Sequence, residues 1–109
     1  MRAWNINKER DTLDELISAL CRDYFRRGSA IERSSQTRRT LIEYRYLNYR
    51  IREAAAEIVG DHLAPIYIRE IGESVGYAKS EDGTVSETTY KRYKKLIRDN
   101  IAKKLHLID

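Results

Sequence analysis

The segment SETTYKRYKKLIRDNIAKKLHLI, residues 86–108, decides how the rest of the chain is interpreted. Its apolar side chains recur every three or four residues, as on one face of an α-helix; they are Tyr90, Tyr93, Ile97, Ile101, Leu105 and Ile108. Ser86 is a favourable N-cap, and Glu87 is favourable at the positive end of a helix. The pattern predicts a helix with one face in a core and a second face exposed.

The second face of this predicted helix is basic. Seven basic residues lie in the segment, namely Lys91, Arg92, Lys94, Lys95, Arg98, Lys103 and Lys104. Lys91, Lys94, Lys95 and Arg98 fall within about 100° of one another on a helix. Two interpretations stay open, because a charged face is common on solvated helices and is also how proteins contact phosphates.

Length and charge limit the alternatives. A chain of 109 residues fits one domain, and 35% charged with 41% hydrophobic residues describes a globular protein. The net charge of +4 favours a polyanionic partner. Cys21 is the single cysteine, so an internal disulfide is excluded. The sequence has no apolar run of membrane-spanning length and no apolar signal-peptide core, and we therefore expect a cytoplasmic protein with no membrane association.

The N-terminal part predicts one helix followed by a linker. Residues 1–11 are expected to be a polar lead-in, with Trp4 as an apolar anchor. Thr12 and Glu15 have the spacing of a capping box, and Gly28 is a stop signal. The apolar stripe of this helix is Leu13, Leu16, Ile17, Leu20 and Tyr24. Residues 29–36 are polar, which predicts a linker or a short frayed turn.

A long helix is predicted over residues 37–59, ended by Gly60. Its stripe has a period close to 3.5 residues and consists of Leu41, Tyr44, Leu47, Ile51, Ala54, Ala55 and Ile58. Such a stripe suits either the central helix of a bundle or the seam of a homodimer. After a turn at 61–65, Pro65 begins a helix that Gly76 ends, and residues 77–85 form a loop or a small hairpin. The chain is therefore predicted to be a single all-α domain of four or five helices, with the last helix packed across the long one.

The two predicted C-terminal helices have features of a helix-turn-helix. Gly72 would be the small residue where two helices touch, and Gly76, four residues later, would take the left-handed conformation at the turn. The hydroxyls of Ser86, Thr88 and Thr89 stand at the start of the next helix, where backbone amides and the helix dipole favour a phosphate.

Residues 44–108 resemble the phage and prophage helix-turn-helix transcriptional regulators of the ArpU and RinA type. The resemblance rests on a Tyr-rich helix, on Ile71-Gly72-Glu73-Ser74-Val75-Gly76-Tyr77, on Ser86-x-x-x-Tyr90-x-x-x-Lys94 and on Ile101-Ala102-x-x-Leu105. It implies DNA binding at a promoter, through a module similar to the one in sigma factors. One departure is that ten positions separate Gly76 from Ser86. Either the turn is expanded, or the first helix continues past Tyr77, or the fold is not helix-turn-helix.

Tyrosines interleave with arginines in the long helix. Three tyrosines, Tyr44, Tyr46 and Tyr49, alternate with Arg45, Arg50 and Arg52. Such a surface can stack bases or anchor a protein partner. The alternative is that Tyr44 belongs to the core stripe while Tyr46 and Tyr49 pack at its edge.

No catalytic or metal site is predicted. His62 and His106 are isolated, and neither forms a local signature with Cys21. Glu53 and Glu57 lie beside arginines, as surface ion pairs do. We expect no enzyme activity and no cofactor.

The sequence thus favours a DNA-binding transcription regulator of a phage or mobile element, with the candidate segment at residues 65–108 and duplex DNA as its partner. The candidate contacts are Ser86, Thr88, Thr89, Lys91, Arg92, Lys94, Lys95 and Arg98. A homodimer is a further expectation, since regulators that read symmetric sites usually pair. The alternative function is a protein-interaction module or inhibitor from a mobile element that binds a host nucleic-acid-handling protein.

Overall fold

The computed structural model describes the backbone of residues 3–108 and the side chains of residues 10–108. It contains α1 (Ala3–Arg22), α2 (Tyr24–Arg33), α3 (Arg38–Gly72), a 3-10 turn (Tyr77–Lys79) and α4 (Glu87–Lys104). Residues 3–108 include no strand, so the all-α, single-domain prediction is confirmed. The role predicted for the Trp4 side chain lies outside the described residues.

Helix α3 is the centre of the fold, because α1, α2 and α4 all pack on it. Ile51, Ala54 and Ala55 of α3 are completely buried and meet Ile17 of α1 and Ile97 of α4 in one core. The near-heptad stripe predicted between residues 41 and 58 therefore packs inside the chain. The bundle interpretation of that stripe is right, and the homodimer seam proposed for it is wrong.

The N-terminal helices differ from the sequence prediction. Helix α1 begins at Ala3, nine residues before the predicted capping box, so residues 3–11 continue the helix instead of leading into it. The break comes at Asp23, and α2 runs through Gly28 to Arg33. The helix continues through Gly28 because the neighbouring Arg27 side chain is buried and anchored. Arg27 Nε donates to Asn48 Oδ1 at 2.8 Å, and Arg27 NH2 donates to the Leu20 carbonyl at 2.6 Å. The predicted linker shrinks to residues 34–37.

Helix α3 contains a break but no separate turn. Gly60 has φ +86° and ψ 164°, a conformation that an L-residue adopts only with strain. Helical geometry resumes at once, so the predicted turn at 61–65 is wrong and Pro65 lies inside α3. We call residues 38–59 the first arm of α3 and residues 61–72 its second arm.

The second arm ends at Gly72, four residues before the predicted stop. Ser74 takes the left-handed conformation (φ +55°), and the Val75 amide donates to the Glu70 carbonyl at 2.9 Å. Gly76 is extended, with φ −85°. Ser74 thus supplies the left-handed residue of the turn. The helix-turn-helix prediction gave that role to Gly76, and this part of the prediction is wrong.

Gly72 does lie at a helix contact, but the partner is α1. A Cβ at position 72 would come within 2.6 Å of the Arg22 backbone nitrogen, and Arg22 Nε donates to the Gly72 carbonyl at 3.1 Å. The close approach predicted between the two C-terminal helices is therefore made between α3 and the first helix.

Helix α4 begins as predicted. The Ser86 side chain accepts a hydrogen bond from the Thr89 amide, which confirms the N-cap. The helix ends at Lys104 instead of continuing to residue 108, and His106 is left-handed with φ +59°. None of the helices in the described part of the chain has the length and apolar character that crossing a bilayer requires.

Candidate nucleic-acid interface

The outer face of α4 carries the exposed part of the predicted site. Thr88, Lys91, Arg92 and Lys95 are all exposed and lie within two turns of one another. Lys91 Nζ is 2.9 Å from Glu87 Oε2, in a pair whose side chains are both more than half exposed. Such exposed pairs are weak, so Lys91 can exchange this partner for another anion.

The start of α4 uses two of the predicted hydroxyls in its own cap. Ser86 Oγ accepts from the Thr89 amide at 3.3 Å and donates to Thr89 Oγ1 at 3.1 Å. Ser86 is exposed and Thr89 is half-buried. Thr88 is exposed and faces the same side as the basic residues. Of the three hydroxyls, Thr88 is therefore the one placed to meet a ligand on this face.

Lys94 does not belong to the exposed face. Its Nζ donates to the Val75 carbonyl at 2.8 Å and lies 5.3 Å from the centre of the Tyr90 ring. Burial lowers the pKa of Lys94, with the Arg98 charge acting in the same direction. Lys94 joins α4 to the preceding loop. The sequence prediction placed it among the exposed phosphate-contacting residues, and the structure does not place it on that exposed face.

Arg98 is also turned away from the face formed by Arg92 and Lys95. It is half-buried, and its Nε is buried without a hydrogen-bond partner among the described residues. The continuous basic face predicted from Lys91, Lys94, Lys95 and Arg98 is therefore divided. The part that remains outward is Lys91, Arg92 and Lys95.

A buried carboxylate fixes the loop that leads into α4. Glu70 is completely buried on the second arm of α3. Its Oε1 accepts from Ser80 Oγ at 2.6 Å, and its Oε2 accepts from the Glu81 amide at 2.7 Å. The Tyr90 hydroxyl lies 2.8 Å from Glu70 Oε1, and burial followed by this hydrogen bond raises the pKa of Tyr90 to about 12. One carboxylate thus joins α3, the loop and α4.

A second buried carboxylate completes the loop. Asp82 Oδ2 accepts from the Tyr67 hydroxyl, and Asp82 Oδ1 accepts from the amide and the hydroxyl of Thr84. Burial works against ionisation of Asp82, but the hydrogen bonds from Thr84 and Tyr67 outweigh it and lower the pKa of the carboxyl. Residues 77–85 are therefore an ordered loop with a 3-10 turn, and the hairpin alternative is wrong.

Sequence patterns alone do not identify Glu70, Tyr67 and Asp82 as one cluster. A signal was present, because Tyr67 and Glu70 are one helical turn apart beside the apolar pair Ile68 and Ile71. A carboxylate at the edge of a core stripe needs donors, and the Ser80-Glu81-Asp82 turn supplies them. What the sequence does not give is which segment folds back onto the helix.

The tyrosines of the first arm differ in exposure, and Tyr44 does not belong to the core as one alternative predicted. Tyr44 is half-buried under the Arg26 guanidinium, 5.7 Å from ring centre to Cζ. Tyr46 and Tyr49 are 46% and 64% exposed, with Arg50 Cζ 5.5 and 6.0 Å from their ring centres. These two rings, with Ile42, form an outward surface on α3 that is separate from the basic face of α4.

The described residues contain no group of three or more His, Cys, Asp or Glu side chains arranged to hold a metal ion. No protein-family model, curated protein or solved structure matches the chain.

Proposed function

We propose that this protein binds duplex DNA through the outer face of α4 and acts as a transcription regulator of a phage or mobile element. The observation that carries the proposal is the set of exposed residues Thr88, Lys91, Arg92 and Lys95 on a helix whose position is fixed by its loop. Exposed cations on one helix face can contact the phosphates of a nucleic-acid backbone.

Each contact has a chemical role in this proposal. Arg92 and Lys95 bind phosphates, and Lys91 does so after leaving Glu87. Thr88 lies near the helix N-terminus, where a hydroxyl can reach a base edge or a phosphate. The resemblance of residues 44–108 to phage regulators implies a promoter site, although Gly72 and Gly76 do not have the roles that a tight helix-turn-helix gives them. Such a regulator would act in the cytoplasm of the host cell.

The rigid loop supports the proposal because recognition requires a helix held at a fixed angle. Glu70 and Asp82 are satisfied within the fold, and Lys94 ties the start of the loop to α4. The loop is therefore ordered without a ligand, and DNA binding would not have to offset the conformational entropy lost on ordering it. The expanded turn between α3 and α4 is then an ordered connection, where a tight helix-turn-helix would have a short turn.

The test is fluorescence anisotropy with mixed-sequence duplex DNA at several salt concentrations. Three phosphate contacts predict a slope of about −3 in a plot of log K against log salt. The double variant Arg92→Ala with Lys95→Ala should flatten that slope by about two. The control is Arg10→Ala with Arg33→Ala, which removes the same charge from two exposed positions on α1 and α2.

An unchanged slope in the α4 variant, or an equal effect in the control, would mean that α4 is only a solvated surface. Absence of DNA binding at low salt would overturn the proposal. That result would favour the alternative predicted from the sequence, a protein-interaction module or inhibitor that binds a host nucleic-acid-handling protein through the same cations.

A further inference from the structure

A second heptad-spaced stripe runs along α3, on the side opposite to the core. Ile42, Tyr46, Tyr49, Glu53 and Ala56 are separated by four, three, four and three residues. Ile42 is 55% exposed, and Tyr46 and Tyr49 are comparably exposed. Alternating steps of four and three are the a and d spacing by which two helices pack together. The inner stripe packs inside the fold. In the outer stripe, Glu53 pairs with Arg50 and Lys104 and Ala56 packs at the edge of the core, whereas Ile42, Tyr46 and Tyr49 keep large exposed apolar surfaces.

The outer stripe changes shape along its length. Near the Gly60 break the surface is hollow, with a groove of about 420 Å³. The groove is lined by Tyr49, Arg52, Glu53, Ala56, Glu57, Gly60 and Asp61. At the other end of the first arm, Ile42 and Tyr46 project into solvent. One helix face therefore carries both a protrusion and a groove, which is what an isologous interface needs.

We propose that two copies of this chain form an antiparallel homodimer through the outer stripe of α3, with the two-fold axis close to Tyr49. In that arrangement Ile42 and Tyr46 of each copy enter the groove of the other. Tyr49 of each copy meets Arg50 of its partner, repeating the ring–guanidinium contact that the chain makes internally. The inference does not depend on DNA binding.

The charges favour the antiparallel direction. Arg38 lies eleven residues before Tyr49 and Asp61 twelve residues after it, just past the Gly60 break, so a two-fold axis at Tyr49 brings the Arg38 end of one copy to the Asp61 end of the other. Both are exposed, and neither has an ion pair among the described residues. Arg45 of one copy likewise lies opposite Glu53 and Glu57 of the other copy. Within each copy, Lys104 already pairs with both glutamates. A parallel pair would instead place Arg38 against Arg38.

The size of the face indicates a small interface. The first arm is about 33 Å long. The exposed parts of Ile42, Tyr46 and Tyr49 contribute on the order of 100 Å² each. The groove walls and the arginine stems add to this area. The total buried area per partner stays at or below the roughly 800 Å² of a standard interface. We therefore expect a dissociation constant of about 1 to 100 μM.

The experiment is sedimentation equilibrium of the full chain from micromolar to millimolar concentration. Wild type should pass from monomer to dimer. Tyr46→Glu with Tyr49→Glu should raise the dissociation constant at least about tenfold, because two charges would be buried at the axis. The control is Phe25→Glu with Leu96→Glu, which alters two apolar side chains of similar exposure on α2 and α4 and should change nothing.

A charge exchange tests direction and partner together. Arg38→Glu and Asp61→Arg should each weaken the dimer, while the double variant should return the dissociation constant to within about twofold of wild type. These positions are exposed, so the exchange stays informative if the tyrosine variant fails to fold. A monomeric wild type at all concentrations, or no restoration by the exchange, would overturn the antiparallel dimer.

Discussion

Gly72 is the residue that sets the distance between α3 and α1. A Cβ there would meet backbone atoms of Arg22 at 2.6 and 2.7 Å, and backbone cannot swing aside as a flexible side chain can. We predict that Gly72→Ala lowers the free energy of unfolding by about 1–3 kcal/mol through overpacking. Urea denaturation followed by circular dichroism measures this.

Gly76→Ala is the matched control for that prediction. Gly76 has an ordinary negative φ, and a Cβ there would meet nothing within 4 Å. The substitution should be neutral or stabilising by about 0.4–1 kcal/mol, because it restricts the unfolded chain. If the two alanines had equal effects, the close approach at Gly72 would not be a constraint. The sequence marked both glycines, but their backbone angles and neighbours depend on the fold.

Asp82 gives the stability of the loop a defined pH dependence. Its pKa in the folded chain is lower than the ordinary value, so the ionised form is favoured by folding. The stability that it contributes is present above the unfolded-state pKa of about 3.9 and is lost as the pH falls through the folded value. Between pH 7 and pH 3, wild type should therefore lose more stability than Asp82→Asn.

The measurement is chemical denaturation of both proteins across that pH range. Asp11→Asn serves as the control, since Asp11 is an exposed aspartate without a hydrogen bond or ion pair among the described residues. It should retain the pH dependence of wild type. Parallel curves for wild type and Asp82→Asn would show that Thr84 and Tyr67 do not stabilise the carboxylate.

At the scale of elements, α4 has two basic sides with different roles. Lys94 packs inward on the Val75 carbonyl, whereas Lys95 is exposed. We predict that Lys94→Glu lowers the free energy of unfolding by about 1–3 kcal/mol, because it brings a carboxylate beside a carbonyl and near Glu70. Lys95→Glu should leave stability within about 0.5 kcal/mol of wild type.

Thermal and urea unfolding of the two variants distinguish these outcomes. The comparison is internal, because the substitutions are chemically identical and lie at adjacent positions. Equal stability losses would contradict the division of the basic residues into an inward and an outward set. DNA anisotropy on the same proteins should respond to Lys95→Glu.

Periodicity predicted the apolar faces of the helices well, since Leu41 and Ile51 on α3 and Ile97 and Ile101 on α4 are buried. Local stop signals predicted the ends of helices less well. Gly28 is passed because Arg27 is held by Asn48, a residue 21 positions away. Such long-range hydrogen bonds override the glycine penalty of about 1 kcal/mol and are invisible in a local pattern.

The candidate site shows the same limit. The exposed positions of Arg92 and Lys95 follow from helix geometry alone, and Ser86 was identified as the cap from its residue type. Lys94 was assigned to the wrong side because a long side chain near the boundary of the apolar stripe can turn either way. Its direction is decided by the Val75 carbonyl, whose place depends on the αL turn at Ser74.

At the scale of the whole molecule, Cys21 reports on the integrity of the bundle. The thiol is completely buried where α1 packs against α3 and α4, and burial raises its pKa to about 12 despite the opposing charges of Arg98 and Arg27. The reactive thiolate is therefore disfavoured while the helices stay packed. We predict that labelling by a disulfide reagent at pH 8 is at least about a thousandfold slower than for an unfolded thiol.

We expect the labelling rate to follow global opening, because Cys21 is completely buried and its backbone lies against Gly72 of α3. Its dependence on urea should match the loss of helical circular dichroism, and Gly72→Ala should raise the logarithm of the labelling rate in proportion to the free energy of unfolding that is lost. A chain with Cys21→Ala and Ser35→Cys carries its thiol in the exposed connection before α3 and should react at once. Rapid labelling of native wild type would mean that α1 detaches independently, and the close α1–α3 contact would then not belong to the cooperative fold.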